Sequence, residues 1–140
     1  MANEPNLQRF LDAQATAYPT ALAEIKAGRK RSHWMWYIFP QIQGLGYSEI
    51  SRHYAIRDAA EAAAYLAHPV LGARLREIAG ELLKLGGGSA GSIMGSPDDL
   101  KLRSSMTLFA AVPGADPVFQ AVLDKYFGGV PDAQTLRRLG

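Results

Sequence analysis

The chain has 140 residues, 48% of them hydrophobic and 20% charged, the make-up of one soluble globular domain over residues 1–140. The absence of cysteine excludes thiolate catalysis, disulfide frameworks and thiolate-held zinc or iron-sulfur centres. A net charge of +2 does not call for nucleic acid as a partner. No apolar run approaches a membrane span, and the opening residues lack a basic-then-apolar leader pattern, so a cytoplasmic location is expected.

Helix punctuation recurs throughout, and no segment alternates like a strand, so an all-α fold is expected. Leu7, Phe10, Leu11 and Ala15 form the stripe of a first amphipathic helix, which Tyr18-Pro19 is expected to interrupt. A short second helix over residues 20–27 closes at Gly28. After the basic triplet Arg29-Lys30-Arg31, the aromatic run 33–39 fits a buried helix capped by Ser32 and stopped by Pro40, although periodicity alone also allows a strand. Residues 41–47 carry Gly44 and Gly46 and read as a loop, and Ser48 caps a helical turn through Tyr54.

Asp58-Ala-Ala-Glu61 reads as a reciprocal capping box that opens an alanine-rich helix to Ala67. Pro69 then suits a first helical position, and a stripe from Val70 to Leu85 runs into Gly86-Gly87-Gly88. On that helix Arg74, Arg76, Glu77 and Glu81 read most simply as a solvated face. Gly87-Gly-Ser-Ala-Gly91 matches the spacing of a nucleophile elbow but lacks its strand-turn-helix context, so it reads as a flexible turn. Ser96-Pro97-Asp98-Asp99 places Ser at the N-cap and Pro at the first helical position of a helix reaching Ala111. Asp116-Pro117 repeats the device, Gly128-Gly129 ends that helix, and a last short one covers residues 133–139.

Two stretches concentrate the chemistry. The first runs from Gly28 to Gln41 and holds both tryptophans, His33 and the basic triplet. Its cations suit a phosphate or carboxylate and its rings suit a planar partner, while the plain alternative is that Trp34 and Trp36 are core and the triplet a solvated turn. The second is Asp98-Asp-Leu-Lys-Leu-Arg-Ser-Ser-Met-Thr107. Lys101 with Ser105, and Asp99 with Arg103, are one helical turn apart, and Ser104 and Ser105 either bond back to carbonyls or project into a polar cavity. His33, His53 and His68 are scattered without metal-ligand spacing, so no metal or cofactor is expected.

The order Arg9-Phe-Leu-Asp-Ala-Gln14, Gly28 through Gln41, Tyr54-Ala-Ile56, His68-Pro-Val-Leu-Gly72 and Asp98-Asp-Leu-Lys-Leu-Arg-Ser-Ser-Met-Thr-Leu-Phe109 resembles an uncharacterised bacterial family known only as a domain of unknown function. Some of its members are labelled calpastatin, a label these residues do not support. The resemblance implies an all-helical single domain with central helices buried in a multihelical shell, as in a mycobacterial relative, and implies no activity. Ser51-Arg-His-Tyr54 and, after a gap, Pro69-Val-Leu-Gly-Ala-Arg-Leu75 are similar to motifs of a family that processes ADP-ribose on nucleobases or small metabolites, whose acidic catalytic pattern near the C-terminus has no counterpart here.

The expectation is that the two stretches converge on a pocket for a small anionic, ring-bearing metabolite such as a nucleotide. Lys30 and Lys101 would neutralise phosphate, Trp34 or Trp36 would stack, and Gln41, Ser104 and Ser105 would orient the ligand. His33 and Tyr54 could move a proton. Hydrolysis of a glycosidic or phosphoester bond would draw on Asp99 as the nearby acid. The competing expectation is a protein-interaction module in which the same rings are core and an exposed apolar helix face docks an unknown partner.

Overall fold

In the computed structural model, which describes residues 6–140, the chain is helical almost throughout. The described elements are α1 (Gln8–Lys26), α2 (Met35–Ile38), α3 (Glu49–His53), α4 (Ala59–Ala67), α5 (Leu71–Lys84), α6 (Ala90–Met94), α7 (Asp98–Ala110), α8 (Val118–Phe127) and α9 (Ala133–Leu139). Extended pairing among the described residues is limited to one parallel bridge, Ile42 to Ile56.

The all-α expectation holds, with several borders moved for identifiable reasons. Pro19 lies inside α1 instead of ending it. The buried face Phe10, Gln14, Tyr18, Ala21 and Ile25 keeps its register across the proline, while Pro19 and Ala15 both face solvent. Water can therefore meet the carbonyl that the missing N–H leaves without a partner. The aromatic helix shrinks to Met35–Ile38, because the Ser32 hydroxyl, expected to cap it, donates to Glu24. Asp58 accepts the Glu61 amide as expected, but the reciprocal half of the box is absent: Glu61 accepts the Arg57 amide and pairs with Arg9 at 2.9 Å.

Pro69 does not begin α5, since the His68 ring nitrogen takes the amides of Val70 and Leu71 and the helix starts at Leu71. Pro97 and Pro117 likewise sit at N-cap positions, one residue before the helices they were expected to start. The triple-glycine turn leads into α6, opened by a reciprocal cap between Ser89 and Ser92. The turn read there as flexible is therefore followed by a helix.

One contiguous core links these elements. At its centre lies α7, buried at Leu102 and continuously from Ser104 to Phe109, and packed against α4, α6, α8 and α9. Around it, α5 packs on α1, α4 and α8. The supposed solvated face of α5 is engaged as well. Arg74 reaches Gln14, Arg76 reaches the Leu66 carbonyl, and Glu77 accepts the Tyr18 hydroxyl. Burial and the Glu77 carboxylate push that hydroxyl's pKa up, so it remains a donor.

Candidate functional site

The two chemistry-rich stretches do meet, and the meeting point is Asp98. Lys30 pairs with one of its oxygens at 2.9 Å and Lys101 approaches the other at 3.7 Å. Each lysine also lies over a ring, Lys30 at 4.9 Å from the Trp34 centroid and Lys101 at 5.6 Å from that of Trp36. On the Lys30 side this contact is a closed structural knot. Trp34 is 1% exposed and gives its indole N–H to Glu24, so it offers no face for stacking. Lys30 is turned inward onto Asp98 and the Ser32 carbonyl, which leaves it unsuited to hold a ligand phosphate.

Glu24 organises that knot. Its carboxylate accepts the amides of Arg31 and Ser32, the Ser32 hydroxyl and the Trp34 indole. Partial burial pushes its pKa up, but the hydrogen bonds from Ser32, Arg31 and Trp34 outweigh this and hold it down at about 2.

Of the two alternatives for the α7 hydroxyls, Ser104 takes the back-bonded one. Ser104 bonds back to the Leu100 carbonyl at 3.2 Å and meets Asp132 at 3.3 Å, and the fully buried Ser105 hydroxyl has no partner among the described residues. The helix-turn pairs are replaced too: Lys101 turns to Asp98, and Arg103 binds the carbonyls of Val130 and Pro131. His33 is exposed, and Asp99 accepts the neighbouring Leu100 amide. Neither lines the cleft described next.

An open cleft of about 440 Å³ lies beside the knot, lined by Trp36, Gln41 to Gly44, Gly46, Tyr47, Ser51, Arg52, Tyr54, Ala55 and Arg138. Its wall is a loop pinned at both ends. Ile42 and Ile56 are buried at the bridge, where the Gln43 amide donates to the Ile56 carbonyl and the Ile56 amide to Gln41, each at 2.8 Å. Ser48 caps α3 by accepting the Ser51 amide, which directs Arg52 and Tyr54 along the wall. Tyr54 is held by ring contacts with Phe10, Tyr37 and His53. Trp36, half-buried, presents the indole that the sequence could not distinguish from Trp34.

The far wall comes from α9. Asp132 accepts the Thr135 amide and both the Thr135 and Ser104 hydroxyls, while its own amide donates to Thr107. Ser104 therefore serves the cleft indirectly, by docking the helix that carries Arg138. The Arg138 guanidinium rests against Gly44, where any Cβ would overlap it; Gly44 also has φ +96°. The guanidinium groups of Arg52 and Arg138 make no hydrogen bond or ion pair among the described residues, and the lining contains no carboxylate.

Of the expected site residues the cleft unites Trp36, Gln41 and Tyr54, with Lys101 behind Trp36. Sequence reasoning missed Tyr47, Arg52 and Arg138. The signal for the loop was the Gly44-Leu-Gly46 pair, but nothing local reveals that Arg138 returns to it. Among the described residues no cluster of His, Asp and Glu could hold a metal ion, and no helix is long and apolar enough to cross a membrane.

The family described as "Protein of unknown function (DUF1810)" matches residues 4–139. The chain is similar to the conserved hypothetical protein Rv1873 from Mycobacterium tuberculosis, known from a crystal structure, with 49% identity, 96% of each chain covered and a TM-score of 0.94. No curated protein matches.

Proposed function

The chain belongs to the DUF1810 family of proteins of unknown function, and from that premise we propose that it binds a small anionic, ring-bearing metabolite of nucleotide type in the cleft between Trp36 and Arg138. One observation carries the reading: three rings, those of Trp36, Tyr47 and Tyr54, share a cleft with two guanidinium groups and no carboxylate. Rings supply stacking area, guanidiniums attract an anion, and Gln41 offers polar orientation. The cleft volume suits a metabolite. The lining also lacks an imidazole, so the reading is binding without hydrolysis, and His33 and Asp99 take no role in it. A cytoplasmic setting fits a chain without cysteine.

The two tryptophans make this testable. Nucleoside 5′-monophosphates should change the tryptophan emission and raise the melting temperature, since ligand at 100 times its Kd adds about 2.7 kcal/mol. In Trp36→Phe the emission change should disappear, although Trp34 still fluoresces from the core. An emission change that survives Trp36→Phe would put the ligand elsewhere. No response from any nucleotide would favour the protein-interaction reading, for which Leu100, Val130 and Leu136 supply exposed apolar side chains.

A further inference from the structure

The cleft holds two arginines where one would satisfy a simple acid, and this points to the chemistry of the anion. Resting on the binding reading above, we infer that the acidic end of the ligand is a phosphoryl group, clamped between Arg52 of α3 and Arg138 of α9.

The other well-placed arginines are committed to the fold. Arg9 binds Glu61 and the carbonyls of His53 and Ala55; Arg74 reaches Gln14, Arg76 reaches Leu66, and Arg103 holds Val130 and Pro131. Arg52 and Arg138 come from elements far apart in the chain, line the same cleft and have no such duty among the described residues. No acid in the lining neutralises them. Arg138 is also seated, because Gly44 leaves the space its guanidinium fills.

The count of donors then selects the ligand. One guanidinium fork balances the single charge of a carboxylate and bonds both of its oxygens with two parallel hydrogen bonds. A second fork adds little for a carboxylate, but a phosphoryl group carries nearly two charges and three acceptor oxygens, enough to use both. Trp36 or Tyr54 would take the ring while the clamp takes the phosphate. A net charge of +2 gives a long polyanion little else to grip, which favours a free mononucleotide.

The test compares the four common ribonucleosides, their 5′-monophosphates and adenosine-5′-carboxylate by calorimetry on the intact chain, with inorganic pyrophosphate as a ringless probe. The expected result is that the preferred monophosphate binds at least tenfold more tightly than its nucleoside, and adenosine monophosphate at least tenfold more tightly than the carboxylate. Arg52→Gln and Arg138→Gln should each remove about tenfold of the monophosphate affinity and leave nucleoside binding unchanged. Both side chains are exposed, so the melting temperature should hold. A carboxylate that matches the monophosphate, or a phosphate preference that survives both substitutions, overturns the clamp while leaving ring binding intact. Pyrophosphate binding that needs both arginines, with no response to any nucleoside or nucleotide, keeps the clamp and overturns the ring reading. Silence from every probe overturns both.

Discussion

Replacing Glu24 with alanine is expected to cost about 3 kcal/mol of stability, read as a lowered urea midpoint at neutral pH. The substitution removes the acceptor for two backbone amides, a serine hydroxyl and the indole N–H of the buried Trp34. A buried donor left without a partner costs about 1–3 kcal/mol, and bonds to a charged acceptor are worth more than neutral ones. Solvent reaches part of this carboxylate, which limits the total. The loss should propagate to the cleft, because the turn that Glu24 ties down leads directly into α2 and Trp36.

The same residue predicts an acid response. Its hydrogen bonds hold the folded carboxyl down at about 2, against 4.5 for a free glutamate side chain. A depressed folded pKa gives stability that is complete above the unfolded value and disappears as pH falls from about 4.5 towards 2. Glu24→Gln, unable to ionise, should show a shallower loss of stability across that window than the natural chain. Identical acid slopes for the two proteins would mean that the carboxylate is not held as described.

Gly72→Ala is expected to be comparably damaging, at about 3 kcal/mol, for a steric reason. Gly72 is buried in the first turn of α5, where a Cβ would overlap the Leu66 carbonyl oxygen and lie 2.9 Å from its carbon. Both atoms are backbone, so relief requires α4 and α5 to separate. Gly80 on the same helix is the internal control. A Cβ there meets nothing within 4 Å, and Gly80→Ala should stabilise by about 0.5–1 kcal/mol through the lower entropy of the unfolded chain. Paired thermal melts check this, with opposite signs expected; equal tolerance at both positions would contradict the close crossing.

Where a residue acts on its own neighbours, the sequence was informative. Asp58 capping α4, the breaks near Gly28 and Gly128, and the apolar stripes of α5 and α8 follow from local spacing, whereas Ala15, expected in the stripe of α1, faces solvent. Pro19 misled because its effect depends on which face it occupies, and it occupies the wet one. Residues 87–91 hid α6 because glycine density outweighed the Ser89–Ser92 pair. The site was legible only as a region. Trp34 and Trp36 are equivalent in composition, and Glu24, ten residues before Trp34, decides which one is buried. Arg138 could not be assigned, since its place depends on Ser104, Thr107 and Asp132 docking α9 against a helix a quarter of the chain away. Ser104 itself looked like a ligand donor because a mid-helix hydroxyl reads the same whether it faces a cavity or another helix.

The most direct measurement is the difference electron density of crystals soaked with a nucleoside 5′-monophosphate. A flat feature is expected against the Trp36 indole, with a compact tetrahedral one between the guanidinium groups of Arg52 and Arg138. Density for the nucleotide at any other surface, with this cleft occupied only by water, would contradict it.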